Sequence, residues 1–265
     1  MHILDDPDVP HRVRALLAGA RRYPAMPADR IRETGRAKAA DGSVGPAPAE
    51  AVVAMIRFEE RYGGLAYPLL NSNGIEYGLE WDATVHADGD GWSFPGISDG
   101  DWTWPLDVLI DGRTTMTLQG RRRVVNRDVA QRIEAHALLA SVRRLPHATF
   151  RVRTAPEVAP VLAEAFLPPR DDAATGPADL WWSDGDTAVH LSLHGWWYGD
   201  DDWTANCFTR TAADLPAAVE SWKRATAGAD ASDADWCTLC SRRLNSAEPC
   251  PDPPQQPIRF PGSPG

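Results

Sequence analysis

The chain has 265 residues, with 43% hydrophobic and 24% charged side chains, a balance that excludes wholesale disorder and collagen-like repeats. Its net charge of −10, from 27 basic and 37 acidic residues, argues against direct nucleic-acid binding, because phosphates are repelled before contact. No apolar run approaches the ~20 residues of a membrane helix. The start Met1-His2-Ile3-Leu4-Asp5-Asp6 has neither the basic end nor the apolar centre of a signal peptide, so a cytoplasmic location without a membrane partner is expected.

Residues 1–49 read as short helical pieces broken by Pro24, Pro27, Pro46 and Pro48, with Gly35 to Ala49 as an Ala/Gly/Pro linker. A helix is predicted over 49–62, where Ala51, Met55, Phe58 and Tyr62 share one face and Gly63-Gly64 stops the helix. From about 75 to 125 the pattern becomes short strands: Glu76 to Leu79, Thr84 to His86, Trp92 to Phe94, Val108 to Ile110 and Thr114 to Met116. Asp111-Gly112 is the hairpin turn between the last two. A second helix over 127–144 is apolar on two sides and should lie between layers.

The rest reads as a second small α+β unit over 146–225. Thr149 to Arg153 alternates like a strand, and Thr154-x-x-Glu157 suggests a capping box opening a helix to Phe166, against which Pro160 counts. Asp179 to Trp182 and Thr187 to His194 suggest a hairpin, Trp203 to Phe208 a further strand, and Leu215, Val219 and Trp222 a last helix with Pro216 in its first turn. Residues 226–265, rich in Ala, Asp, Ser and Pro, read as a disordered tail.

Charge is layered along the chain. Residues 50–110 carry 11 acidic and 2 basic groups, 111–153 carry 3 and 10, and 154–224 carry 12 and 4. The plainest consequence is that the basic stretch packs beside the acidic ones.

Three motif-like features carry little chemistry. Gly96-Ile97-Ser98-Asp99-Gly100 matches the nucleophile-elbow pattern, but Pro105 and the tryptophans around it deny the helix that such a serine needs. His190 and His194, four residues apart on a strand, stand about 13 Å apart and cannot share one zinc. Cys237-Thr-Leu-Cys240 with Cys250 supplies three thiols, and Cys207 is a candidate fourth. A second short-spaced pair is missing, so neither a metal nor a cofactor is expected.

The eleven tryptophans are more informative, because they cluster as Trp102/Trp104, Trp181/Trp182 and Trp196/Trp197 beside aspartates and glycines. Half or more should be core. The others suit a binding hot spot for a basic protein or, alternatively, a carbohydrate cleft with paired carboxylates.

Ile56-Arg-Phe58-Glu59-Glu60-Arg61-Tyr62-Gly63-Gly64-Leu65, with Asn73-Gly74 further on, resembles the SUKH superfamily of fungal cell-wall-regulator-like and bacterial toxin-immunity proteins. Phe58, Glu59, Tyr62 and Gly63 match its helix end, and Asn73 and Gly74 match the turn before its strands. Leu65-Ala66-Tyr67-Pro68 differs in placing proline three residues after leucine instead of next to it. The resemblance spans about residues 50–145. It implies an α+β fold, with a mixed or antiparallel sheet flanked by helices, and a non-enzymatic role in neutralising a cognate toxin, often a nuclease. A basic protein toxin is then the expected partner. The expected contact residues are Trp92, Asp99, Asp101, Trp102, Trp104 and Asp107, where carboxylates and aromatics interleave.

Overall fold

The computed structural model describes residues 1–69, 74–79, 83–89, 91–99, 106–118, 121–153, 160–193, 203–226, 230–233, 236–237 and 242–243. It is an α+β fold whose chain divides into two compact units: residues 1–143 with 171–181, and residues 144–170 with 182–265. Among the described residues, no helix is long and apolar enough to cross a membrane.

The first unit opens with a 3-10 turn at Ile3–Asp5, α1 (His11–Leu17), β1 (Arg21–Arg22) and α2 (Ala28–Thr34). Residues 35–49, expected as a linker, instead contain β2 (Arg36–Lys38) and β3 (Val44–Pro46). Next come α3 (Ala49–Tyr62), β4 (Leu65–Tyr67), β5 (Ile75–Tyr77), β6 (Thr84–Asp88), β7 (Gly91–Asp99), β8 (Leu106–Leu109), β9 (Thr114–Leu118), β10 (Arg121–Asn126) and α4 (Val129–Val142).

The ten strands form one mixed sheet, in which β2 runs parallel to β6 and the other pairings are antiparallel. The nine-residue β7 is its spine. Ser93 pairs with both His86 and Leu109, and Ile97 with both Tyr77 and Leu106, so β8 lies along one edge and β6 then β5 along the other. Asp111-Gly112 makes the expected hairpin between β8 and β9. Gly112 has φ +96, and Arg113 N–H donates to Asp111 Oδ1 at 3.0 Å. A Cβ at Gly112 meets open space, so Gly112→Ala should cost only the strain of a left-handed alanine, about 1–2 kcal/mol in urea unfolding.

Helix α3 begins after Pro48, carries Glu50 in its first turn and Arg61 in its last, and so suits its macrodipole. It buries Ala51, Met55 and Phe58. The Phe58 ring meets Phe94 of β7 edge-on at 5.5 Å, which seats the helix on the sheet. Helix α4 is buried on two sides, as its sequence predicts. Its N-cap Asp128 accepts from Gln131 N–H at 2.7 Å. Gln131 Nε2 in turn donates to the Ala174 carbonyl at 2.8 Å, tying residues 171–181 to the first unit.

Arg12 of α1 makes a second tie, donating to Glu134 of α4 and to both carboxylate oxygens of Asp171. The Arg12 hydrogen bond holds the Asp171 carboxyl below its ordinary value. A carboxyl depressed on folding stabilises fully above its unfolded pKa of about 3.9 and loses that contribution as pH falls through the folded value. Asp171→Asn should therefore cost about 1–3 kcal/mol at pH 7. The gap to wild type should narrow when urea unfolding is repeated near pH 3; a gap that stays constant with pH would show that the ion pair is not its source.

The second unit contains β11 (His147–Arg153), β13 (Thr187–Ser192), β14 (Trp203–Thr209), α5 (Leu215–Ala225) and β15 (Asp230–Asp233); β12 (Asp179–Ser183) runs through the division of the chain, which falls after Trp181. The five-stranded sheet has the order β12-β13-β14-β11-β15. Helix α5 lies on it through Trp222, whose ring is 5.9 Å from Phe150. The helix expected to reach Phe166 is absent over 160–163, and only a 3-10 turn forms at Glu164–Phe166; residues 154–159 lie outside the described residues. Pro160 removes an amide donor in what would be the helix interior. The expected disordered tail contributes β15, and the two-residue strands β16 (Trp236–Cys237) and β17 (Arg242–Arg243) pair with each other.

Candidate functional site

Of the six predicted contact residues, Asp101, Trp102 and Trp104 lie outside the described residues. Asp99 closes β7 and pairs with Ile75 of β5. Trp92 opens β7 half-buried, and Asp107 is half-buried on β8 opposite Pro95. Strand alternation puts Trp92 with Phe94 on one face of the sheet and Asp107 with Pro95 on the other, so these two do not share a face. Burial pushes the Asp107 carboxyl up, partly opposed by His86, and its Oδ2 sits 3.6 Å from Arg122. Asp107 is thus balanced within the sheet by the basic stretch, as the charge layering implies.

Other predicted features settle differently. Trp181, Trp182, Trp203 and Trp222 are buried, so the Trp181/Trp182 pair is core, while Trp196 and Trp197 lie outside the described residues. Gly96, Ile97 and Ser98 all sit inside β7, not at a strand-to-helix turn. His190 is buried on β13, and His194 lies outside the described residues. Cys207 is fully buried on β14, and burial pushes its thiol up, which opposes the thiolate form that metal binding needs. Cys240 and Cys250 lie outside the described residues, and Cys237 lies in β16. Among the described residues, no group of three or more His, Cys, Asp or Glu is placed to hold a metal ion.

A concavity of the first unit lies beside β5 and β7. It is a cavity of about 340 Å3 lined by Tyr23, Met26, Glu59, Glu76, Tyr77 and Ser98, together with Gly64, Gly78 and Gly96. Glu59 lies in the last turn of α3 and is 3% exposed. Its carboxylate accepts the amide of Leu79 on one oxygen and that of Met26, at 2.9 Å, on the other. Burial raises its pKa, and those two amides act against the rise. The Gly63-Gly64 turn brings Tyr23 within reach: Gly64 N–H donates to the Tyr77 carbonyl at 2.8 Å, and Tyr23 N–H donates to the Gly64 carbonyl at 2.7 Å. One glutamate therefore fastens the segment before α2 and the turn after β5 to the end of α3. Behind it, the Tyr67 hydroxyl bridges the Tyr77 hydroxyl at 2.8 Å and His136 Nδ1 at 2.9 Å, joining the wall of the cavity to α4.

In the sequence Glu59 stands out only as part of the Phe58-Glu59-x-x-Tyr62-Gly63 motif. The signal for its burial is present all the same: Ala51, Met55 and Glu59 follow one another at four-residue steps along the buried stripe of α3, so a carboxylate occupies a core position. What the stripe does not reveal is that a cavity opens beside it.

No protein-family model, curated protein or solved structure matches this chain.

Proposed function

We propose that this chain is a non-enzymatic binding protein of the toxin-immunity kind, acting in the cytoplasm by covering the basic surface of a nuclease-type toxin. The reading extends the SUKH resemblance of residues 50–145. One observation carries it: from Tyr62 to Gly112 the chain has nine carboxylates and no lysine or arginine, and this stretch supplies β4 to β8. A sheet built from such a stretch favours a cationic partner, and a nuclease needs a cationic cleft for its phosphates. Asp99, the last residue of β7, and Asp101, two residues on in the sequence, are the preferred contacts, with Trp102 and Trp104 as aromatic anchors.

The test is capture on the immobilised full chain from its native cytosol, with the retained fraction assayed for nuclease activity and for its inhibition by added protein. The expected result is a basic nuclease, released by high salt and inhibited on remixing. The double variant Asp99→Lys/Asp101→Lys should slow association about tenfold at low salt, with the difference shrinking as salt rises. If no retained fraction is a nuclease, the toxin reading falls. Association that ignores both salt and the double reversal would remove Asp99 and Asp101 from the contact.

A further inference from the structure

We infer that the cavity at Glu59 binds a guanidinium or ammonium group. At about 340 Å3 it is at the small end of ligand sites, a size that suits one cationic head and a short stem. Its lining residues include Glu59 and Glu76 and no lysine, arginine or histidine. Two arginines of the flanking segments have partners of their own. Arg21 lies 5.3 Å from the centre of the Tyr23 ring, and Arg61 pairs with Asp6 at 2.6 Å.

Glu59 makes the site selective. A buried carboxylate is costly unless it is paired as well as hydrogen-bonded. Among the described residues Glu59 has no cation within ion-pair reach, and its hydrogen bonds come from two backbone amides. A carboxylate has about four acceptor positions, so those amides leave room for further donors. A guanidinium brings both donors and the missing charge, whereas a neutral donor leaves the charge unbalanced and an anion meets two carboxylates. Glu76 and Ser98 are exposed, pair with each other across β5 and β7, and give the site an open, acidic rim.

Two sources carry this group: a free small guanidine, or an arginine side chain on a protein. The amides of Met26 and Leu79 report on the site directly, because both bond to the Glu59 carboxylate. In a two-dimensional NMR titration of the full chain at constant ionic strength, methylguanidinium should shift these two amides saturably. Tetramethylammonium, which has no N–H donor, should not. Glu59→Gln should weaken binding at least tenfold. Ser98→Arg offers a second variant that leaves the core untouched; its own guanidinium should occupy the cavity, move the two amides in advance and abolish the titration. A blocked peptide Gly-Arg-Gly at least tenfold tighter than methylguanidinium marks a protein-borne arginine, and equal or weaker binding marks a free small cation. Either result supports the site, and it does so whether or not the chain neutralises a toxin. The absence of saturable shifts with both methylguanidinium and Gly-Arg-Gly, or wild-type affinity in Ser98→Arg, overturns the proposal.

Discussion

Gly64→Ala should destabilise the first unit by about 4 kcal/mol or more, a large share of the roughly 5–15 kcal/mol that holds an ordinary domain folded. Gly64 has φ +74, where an alanine costs about 1–2 kcal/mol by itself. The larger part comes from crowding. A Cβ there would collide with the Tyr23 carbonyl, whose carbon would stand only 2.7 Å away. Tyr23 cannot retreat without losing its hydrogen bond to Gly64, and β1 pairs with β4 through Arg22 and Leu65 on either side of that contact. Urea unfolding of Gly64→Ala beside Gly112→Ala separates the two contributions, since both glycines have positive φ and only Gly64 is crowded. Equal midpoints would mean that residues 22–26 do not pack against the end of α3.

Trp222→Ala should cost the second unit about 3–5 kcal/mol, the usual range for removing a buried aromatic. Trp222 is 1% exposed and joins α5 to Phe150 in the sheet. Its indole N–H has no hydrogen-bond partner among the described residues. The side chain therefore acts through volume and contact, and Trp222→Phe should recover most of the loss, within about 1.5 kcal/mol of wild type. Thermal unfolding followed by fluorescence of the remaining tryptophans measures both variants. A phenylalanine variant as damaged as the alanine one would show that the indole nitrogen has a partner that matters.

The elements that were legible in the sequence are those whose signal is local. Helix α3 forms over Ala49–Tyr62 because an apolar stripe, a proline start and a double-glycine stop agree within fourteen residues. The hairpin at Asp111-Gly112 and the helix of Trp222 are of the same kind. Strands β2 and β3 are not legible in the sequence, because three residues are too few to show a period, and Gly35, Gly45 and Pro46 carry a loop composition. Their pairing depends on β6, nearly fifty residues later, which β2 meets in parallel. The assignment of residues 171–181 to the first unit likewise depends on Arg12, Glu134 and Gln131, none of them near that segment in the chain.

The same division holds for the candidate site. Sequence alone determined an acidic, α+β chain with a stretch from Tyr62 to Gly112 that has no lysine or arginine, and it set the four-residue spacing of Ala51, Met55 and Glu59 along α3. Those properties follow from composition and from spacing along one helix. Only the tertiary structure decided that Glu59 meets the amides of Met26 and Leu79, that a cavity remains beside it, and that Trp92 and Asp107 part to opposite faces of the sheet. The reason is physical: a cavity is the space left between segments distant in sequence, and a strand's faces are set by its register with its neighbours, so neither is encoded in any single segment.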